Sequence, residues 1–260
     1  MVGNLKEQLK SGKPVIGTFT NVSDPAVIEL LGYVGFDFVI VDMEHGPATT
    51  RELESLVRAA DLAKLPVVVR VPGAQRVPIL KALDCGGSGV LVPMVDDSKT
   101  AADAAFHAHY PPFGGRGLAT YQRSIRYGQT EPQQYLEDVE KRVLTVVQIE
   151  TRQAVEQSEE ISHVEGVDVL FIGPSDLSMS LGVFGQPEHE TLQTAIDQVV
   201  QAGLQAGKAV GTLVGTTEQA RQAIDRGMRF IAWGTTLGML SAGAKNTLDA
   251  WKSLTSSRSL

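Results

Sequence analysis

Short runs of β-branched and other apolar residues alternate with longer stretches whose apolar positions recur at helical spacing, and the alternation repeats eight times. The first run, Val15 to Thr20, precedes Ser23-Asp24-Pro25, a helix start with proline just inside it, and a helix to about Gly35. Phe36 to Asp42 predicts the second strand, Met43 to Thr49 a loop, and Thr50 to Lys64 an amphipathic helix. Pro66 to Val71 is the third strand, residues 76–86 the third helix with Gly86 and Gly87 as its stop, and Gly89 to Val95 the fourth strand. Ser98 to Tyr110 is a fourth helix, yet the fifth strand begins only at about Val143 and ends at Glu150. The sixth strand runs from Val167 towards Asp176. Helical pattern over 189–207, a seventh strand from Lys208 to Gly215, and a helix from Thr217 to Arg226 follow. Met228 to Gly234 is the eighth strand and Leu237 to Ser253 a closing helix, beyond which the polar tail 255–260 is expected to fray.

Eight such alternations favour a closed parallel barrel over an open doubly wound sheet. The expected fold is α/β, a single (β/α)8 TIM barrel over residues 1–260 with a long loop between helix 4 and strand 5 and a C-terminal helix. The length of 260 residues suits the roughly 250 of such a barrel. Tyr110-Pro-Pro-Phe-Gly-Gly-Arg-Gly117 is too rich in proline and glycine for regular structure, and a loop of this length is often a lid or an interface element.

Composition narrows the function without choosing it. Charged residues make up 20% and hydrophobic residues 43%, so the chain can fold, and no apolar run approaches the roughly 20 residues that span a bilayer. Charges throughout Met1 to Lys10 do not fit a signal peptide. Cys85, a lone cysteine in a helix end, excludes an internal disulfide, reads as core and fits the reducing cytoplasm. The net charge of −7, without a concentrated basic face, argues against nucleic acid.

Barrel chemistry sits at the C-terminal ends of strands. There the chain places Glu150 and Asp176, whose strands, as neighbours in a parallel sheet, would let both carboxylates converge on one hard divalent cation. Each acid taken alone reads equally well as a helix N-cap. Asp42 and Glu44 share one parity on the second strand, as do Gln148 and Glu150 on the fifth. Arg70 ends an apolar run and needs an anion beside it. Of five histidines only His45 lies at a strand end, close enough after Asp42 for that carboxylate to orient its ring as a general base. His107, His109, His163 and His189 read as surface residues. All ten lysines fall in helices, in loops or at the start of a strand, which disfavours a Schiff-base mechanism.

Phe36-Asp-Phe-Val-Ile-Val-Asp42-Met-Glu44-His45-Gly, Val69-Arg70-Val-Pro, Leu91-Val-Pro-Met-Val95, Tyr110-Pro-Pro-Phe-Gly-Gly-Arg116-Gly, Val147-Gln148-Ile-Glu150-Thr and Phe171-Ile-Gly-Pro-Ser175-Asp176-Leu-Ser178 follow one another in an order and spacing that resembles the HpcH/HpaI family of metal-dependent class II pyruvate aldolases. The resemblance covers roughly residues 5–250. It implies that Glu150 and Asp176 ligate a divalent metal (Mg²⁺ or Mn²⁺, with Co²⁺ as a further candidate), that His45 with Asp42 is the base, and that Arg70 stabilises the pyruvate enolate. It also implies that Gln148 and the Ser175 backbone hold the pyruvyl end, and that the chain forms a homo-oligomer, a hexamer, with the 110–143 segment near a neighbour's active site. Phe19 stands where some hydroxy-oxo-diacid aldolases carry tryptophan, which makes it a substrate-binding position that bears on the aldehyde. Two other departures are serine at 175, where close members often have alanine, and Gly234-Thr-Thr-Leu-Gly238, where many carry an aspartate. The implied reaction is reversible aldol cleavage of a 4-hydroxy-2-oxo acid to pyruvate and an aldehyde. A citrate-forming or malyl-type lyase would use the same enolate chemistry, and a non-catalytic barrel would merely bind the 2-oxo acid.

Overall fold

In the computed structural model, which describes residues 4–256, the eight strands pair in sequence order, all parallel, and the eighth returns to the first to close the barrel. They are β1 (Val15–Thr20), β2 (Phe38–Asp42), β3 (Val67–Arg70), β4 (Gly89–Val92), β5 (Leu144–Ile149), β6 (Val169–Ile172), β7 (Ala209–Val214) and β8 (Phe230–Thr235). The helices between them are α2 (Pro25–Val34), α3 (Thr50–Ala63), α4 (Arg76–Asp84), α5 (Ser98–Ala108), α6 (Pro132–Glu140), α7 (Arg152–Glu156), α8 (Ser158–Ser162), α9 (Pro174–Ser180), α10 (Glu190–Gln205) and α11 (Thr217–Asp225). A short α1 (Leu5–Lys10) precedes the barrel and α12 (Thr236–Ser256) follows it. The tail beyond Ser256 lies outside the described residues.

Local chemistry sets the helix ends. Asp24 caps α2, Pro25 opens it, and Gly35 ends it in the left-handed conformation. Thr49 and Glu52 form a reciprocal capping box on α3. The stretch after α5 is more ordered than its composition suggests. A 3₁₀ turn over Arg123–Gly128 and then α6 fill its second half, with Glu131 capping and Pro132 opening that helix while Tyr135 and Val139 are buried.

Two apolar layers divide each strand by parity. Val39, Val41, Val67, Val69, Val147 and Ile149 face the helices, whereas Phe38, Ile40, Val68, Leu144, Val146, Val169, Phe171 and Phe230 fill the barrel interior. Leu5 of α1 joins the interior set. Gly17 makes room for that filling, because a Cβ there would lie 2.3 Å from the Phe38 ring, which stacks on Phe230 at 4.2 Å.

Candidate functional site

Following the interior parity to the strand ends gives the site. After Phe38 and Ile40 comes Asp42, after Val68 comes Arg70, after Val146 come Gln148 and Glu150, and after Phe171 comes Gly173. Each polar side chain is thus carried at the mouth by the same alternation that fills the core beneath it.

On one side of the mouth, β2 and β3 place Asp42 and Arg70 directly opposite each other. The guanidinium donates from Nε to Asp42 Oδ1 at 2.9 Å and from Nη2 to Oδ2 at 2.7 Å, a bidentate fork. Arg70 Nη1 lies 3.4 Å from Glu44 Oε2, and the guanidinium carbon sits 5.0 Å from the centroid of the Phe19 ring. Burial pushes the Asp42 carboxyl up, but the hydrogen bonds and charge of Arg70, with the amides of His45 and Glu44, outweigh it and hold the group below the ordinary aspartate range.

This arrangement corrects the expected pairing of Asp42 with the His45 ring. Asp42 Oδ1 accepts from the His45 backbone N–H at 3.2 Å, and both carboxylate oxygens are engaged by Arg70, whose planar fork matches them. The ring projects from the loop with its side chain 71% exposed, and its nearest acid is Glu44, 3.9 Å from Nε2. Phe19 is buried edge-on to Phe171, so its visible contacts support Arg70 from within the barrel.

Across the mouth, β5 brings Gln148 and Glu150 to the adjoining end of β6. Glu150 Oε1 accepts the Met94 amide at 2.8 Å, and Oε2 accepts from Gln148 Nε2. A Cβ on Gly173 would lie 2.7 Å from both Glu150 Oε2 and Gln148 Nε2, so only glycine leaves room for the pair. Burial pushes the Glu150 carboxyl up to about 7; the Met94 amide opposes this, the negative charges of Asp176 and Glu44 add to it, and Arg70 opposes it weakly. Asp176 lies exposed in the first turn of α9, one residue after the equally exposed Ser175.

Among the described residues no three or more His, Cys, Asp or Glu side chains surround one point. The candidate donors remain the two carboxylates expected from the sequence, Glu150 and Asp176, and Mg²⁺ or Mn²⁺ commonly accepts one or two carboxylates and keeps several waters. Two features fit such an ion. Glu150 is buried in a field of like charge, and the neighbouring Gln148 Oε1 is a buried acceptor with no partner.

Other expectations resolve elsewhere. His109 is not on the surface. It is 3% exposed, with Nδ1 2.8 Å from Glu140 Oε2 and Nε2 3.2 Å from Thr145 Oγ1, so it ties the end of α5 to α6 and β5. Its partners are 31 and 36 residues away and left no mark in the local pattern. His163 is exposed and His189 caps α10. Cys85 is buried, and burial pushes its thiol up to about 11. The Lys208 ammonium reaches the Val164 and Val167 carbonyls ahead of β6, at the opposite end of the barrel from Asp42 and Glu150. Among the described residues no helix is long and apolar enough to cross a membrane. The Met94 amide and the Gly173 clearance were missed as functional features, since neither residue type announces such a role.

Comparison with known proteins gives the family. The chain is 35% identical over 244 residues to the 2-dehydro-3,6-dideoxy-6-sulfogluconate aldolase of Pseudomonas putida, covering 94% of this chain and 95% of that one. It is 35% identical over 246 residues to the 4-hydroxy-2-oxo-heptane-1,7-dioate aldolase of Escherichia coli, covering 94% and 93%. A crystal structure of a family protein from Burkholderia cenocepacia J2315 superimposes with a TM-score of 0.90 at 34% identity, covering 95% of this chain and 98% of that one. With the HpcH/HpaI aldolase/citrate lyase model matching residues 15–242, this chain belongs to that family.

Proposed function

We propose that this protein catalyses reversible, divalent-metal-dependent cleavage of a 4-hydroxy-2-oxo acid to pyruvate and an aldehyde. Its family and its aldolase relatives make it a carbon–carbon lyase. The observation that carries the finer reading is the division of the barrel mouth into a neutralised half, Asp42 with Arg70, and an acidic half, Glu150 with Asp176, in which the buried Glu150 carboxyl makes no ion pair among the described residues.

Glu150 and Asp176 would hold the ion, and Mg²⁺, Mn²⁺ or Co²⁺ bound there supplies Lewis acidity to the substrate's 2-oxo group. Arg70, fixed by Asp42 and supported by Phe19, presents a permanent positive charge where the C3–C4 bond leaves an enolate. In this reading the Gln148 side-chain N–H₂ group and the Ser175 backbone N–H bind the pyruvyl end, whose carboxylate and oxo oxygens need donors. His45, with an exposed ring, is free to take the 4-hydroxyl proton directly or through water.

The test measures two reactions on one variant at saturating Mn²⁺. Decarboxylation of oxaloacetate forms the same enolate with no hydroxyl proton to remove. His45→Ala should lose aldol cleavage by roughly 10²–10⁴-fold and keep most decarboxylation. Equal loss of both, with fold and metal binding intact, would remove His45 from the role of base.

A second copy of this chain is the further partner in this reading, in a homo-oligomer we take to be a hexamer. The support is α12, a helix of 21 residues on which Leu240, Leu248, Trp251 and Leu254 are all exposed at helical spacing. A helix gains most of its stability from an apolar face packed on something else, and beyond its first residue, Thr236, this one is exposed through Thr255 among the described residues. Light scattering should give a multiple of the 27.9 kDa chain mass, and a monomer at working concentration would refute the assembly.

A further inference from the structure

Four non-glycine residues among those described have a positive φ: Lys64, Met94, Arg126 and Tyr127. Lys64 is the C-cap of α3, and Arg126 and Tyr127 lie in the 3₁₀ turn. Met94 differs from these. It follows β4 at the barrel mouth with φ +53°, a conformation rare for a residue with a side chain, and its side chain is half exposed, so packing does not account for the choice.

The backbone does account for it. Pro93 follows the last paired residue of β4, Val92, and carries no N–H with which to continue the ladder. The chain then bends so that the Met94 N–H meets Glu150 Oε1 at 2.8 Å, the Val95 N–H returns to the Gln148 carbonyl at 3.3 Å, and Thr151 Oγ1 donates to Asp96. Three successive links thus stitch residues 94–96 to the end of β5, which holds the left-handed turn in place. With Gln148 Nε2 on Oε2 and Gly173 close beneath, the Glu150 carboxylate has a single orientation, and two of its roughly four lone-pair sites stay free.

Resting on the metal reading above, we propose that the Met94 main-chain amide is a positioning group that fixes the Glu150 carboxylate for divalent-cation binding, and that the left-handed turn exists to aim it. The role belongs to the backbone and not to the methionine side chain. A main-chain donor is stiffer than a side chain, and partners that orient a ligand are commonly worth 10–100-fold in metal affinity.

The test replaces methionine 94 with its α-hydroxy analogue by nonsense suppression, which turns the amide into an ester, keeps the side chain and deletes only the donor. Calorimetric titration of the full-length protein with Mn²⁺ should show binding about 10–100-fold weaker than wild type, with an unchanged circular dichroism spectrum. Met94→Gly keeps the donor and suits the conformation, so its affinity should fall by less than about threefold. Met94→Ile keeps the donor but is strained at positive φ, and should lose affinity much as the ester does. A folded ester protein with wild-type Mn²⁺ affinity overturns the inference, and so does a Met94→Gly protein as weak as the ester, since the side chain would then be responsible. If the ester protein does not fold, the order of the glycine and isoleucine variants decides, with equal affinities counting against the proposal. A wild-type protein that binds no Mn²⁺ overturns the metal reading itself, an outcome distinct from wild-type binding that the ester leaves unchanged.

Discussion

Asp42 and Glu150 sit at the same end of the same barrel, 5% and 3% exposed, and yet they ionise in opposite senses. Asp42 is held below the ordinary range and Glu150 is raised to about 7. Depth is not what separates them. Asp42 receives both arms of a guanidinium, whereas Glu150 receives one main-chain amide and one side-chain amide, with two further acids nearby. Neutral donors satisfy hydrogen-bonding capacity without cancelling charge, and burial therefore prevails at Glu150. One half of the site is compensated by the protein's own cation, and in the proposed reading the other half takes one from outside.

The largest expected break in this contrast comes from Arg70→Ala, which would leave Asp42 buried without its partner. Stability should fall by about 3–5 kcal/mol in a denaturant titration, the usual result of breaking a buried pair from one side. Aldol cleavage and oxaloacetate decarboxylation should both fall by roughly 10²–10³-fold, because both need the enolate charge met. Arg70→Lys should recover little, since an ammonium cannot bridge both Asp42 oxygens. Full activity in the lysine variant would show that charge alone suffices.

Glu150→Gln acts on the other half. Losing a ligand charge should weaken Mn²⁺ binding by more than the roughly 10–100-fold typical of losing a supporting partner, and calorimetry would report it. Asp176→Asn should do the same. If both variants bind Mn²⁺ as wild type does, the cation site lies elsewhere.

The smallest effect is in the pH dependence of stability, measured in chelator. The folded pKa of Glu150 lies above the ordinary value of 4.5, so its burial costs nothing below pH 4.5, where both states are protonated. Stability should then decline as pH rises to about 7, by about 3 kcal/mol in all at roughly 1.4 kcal/mol per pH unit. Asp42 has the opposite sign: its contribution is present above the ordinary aspartate value of 3.8 and is lost as pH falls through the lower folded pKa. Glu150→Gln should abolish the slope between pH 4.5 and 7 and leave the acid limb intact, and a slope that survives the substitution would locate the titrating group elsewhere.

The periodicity of the chain alone determined the eight strands, the barrel and which residues lie at strand ends. A side-chain period of two follows from local geometry, so Gln148 and Glu150 had to share a face and Asp42 had to continue the interior line of Phe38 and Ile40. The helix that opens at Pro132 is absent from the sequence expectation, which leaves the stretch before Val143 as a loop; burial of Tyr135 and Val139 against the barrel is a tertiary fact. Tertiary structure alone decided which group answers which. Asp42 meets Arg70 across 28 residues, Met94 meets Glu150 across 56, and His109 meets Thr145 across 36. Those pairings depend on barrel register and on where a turn aims an N–H, quantities set by the closure of all eight strands together, on which a single stretch of sequence carries no local signal.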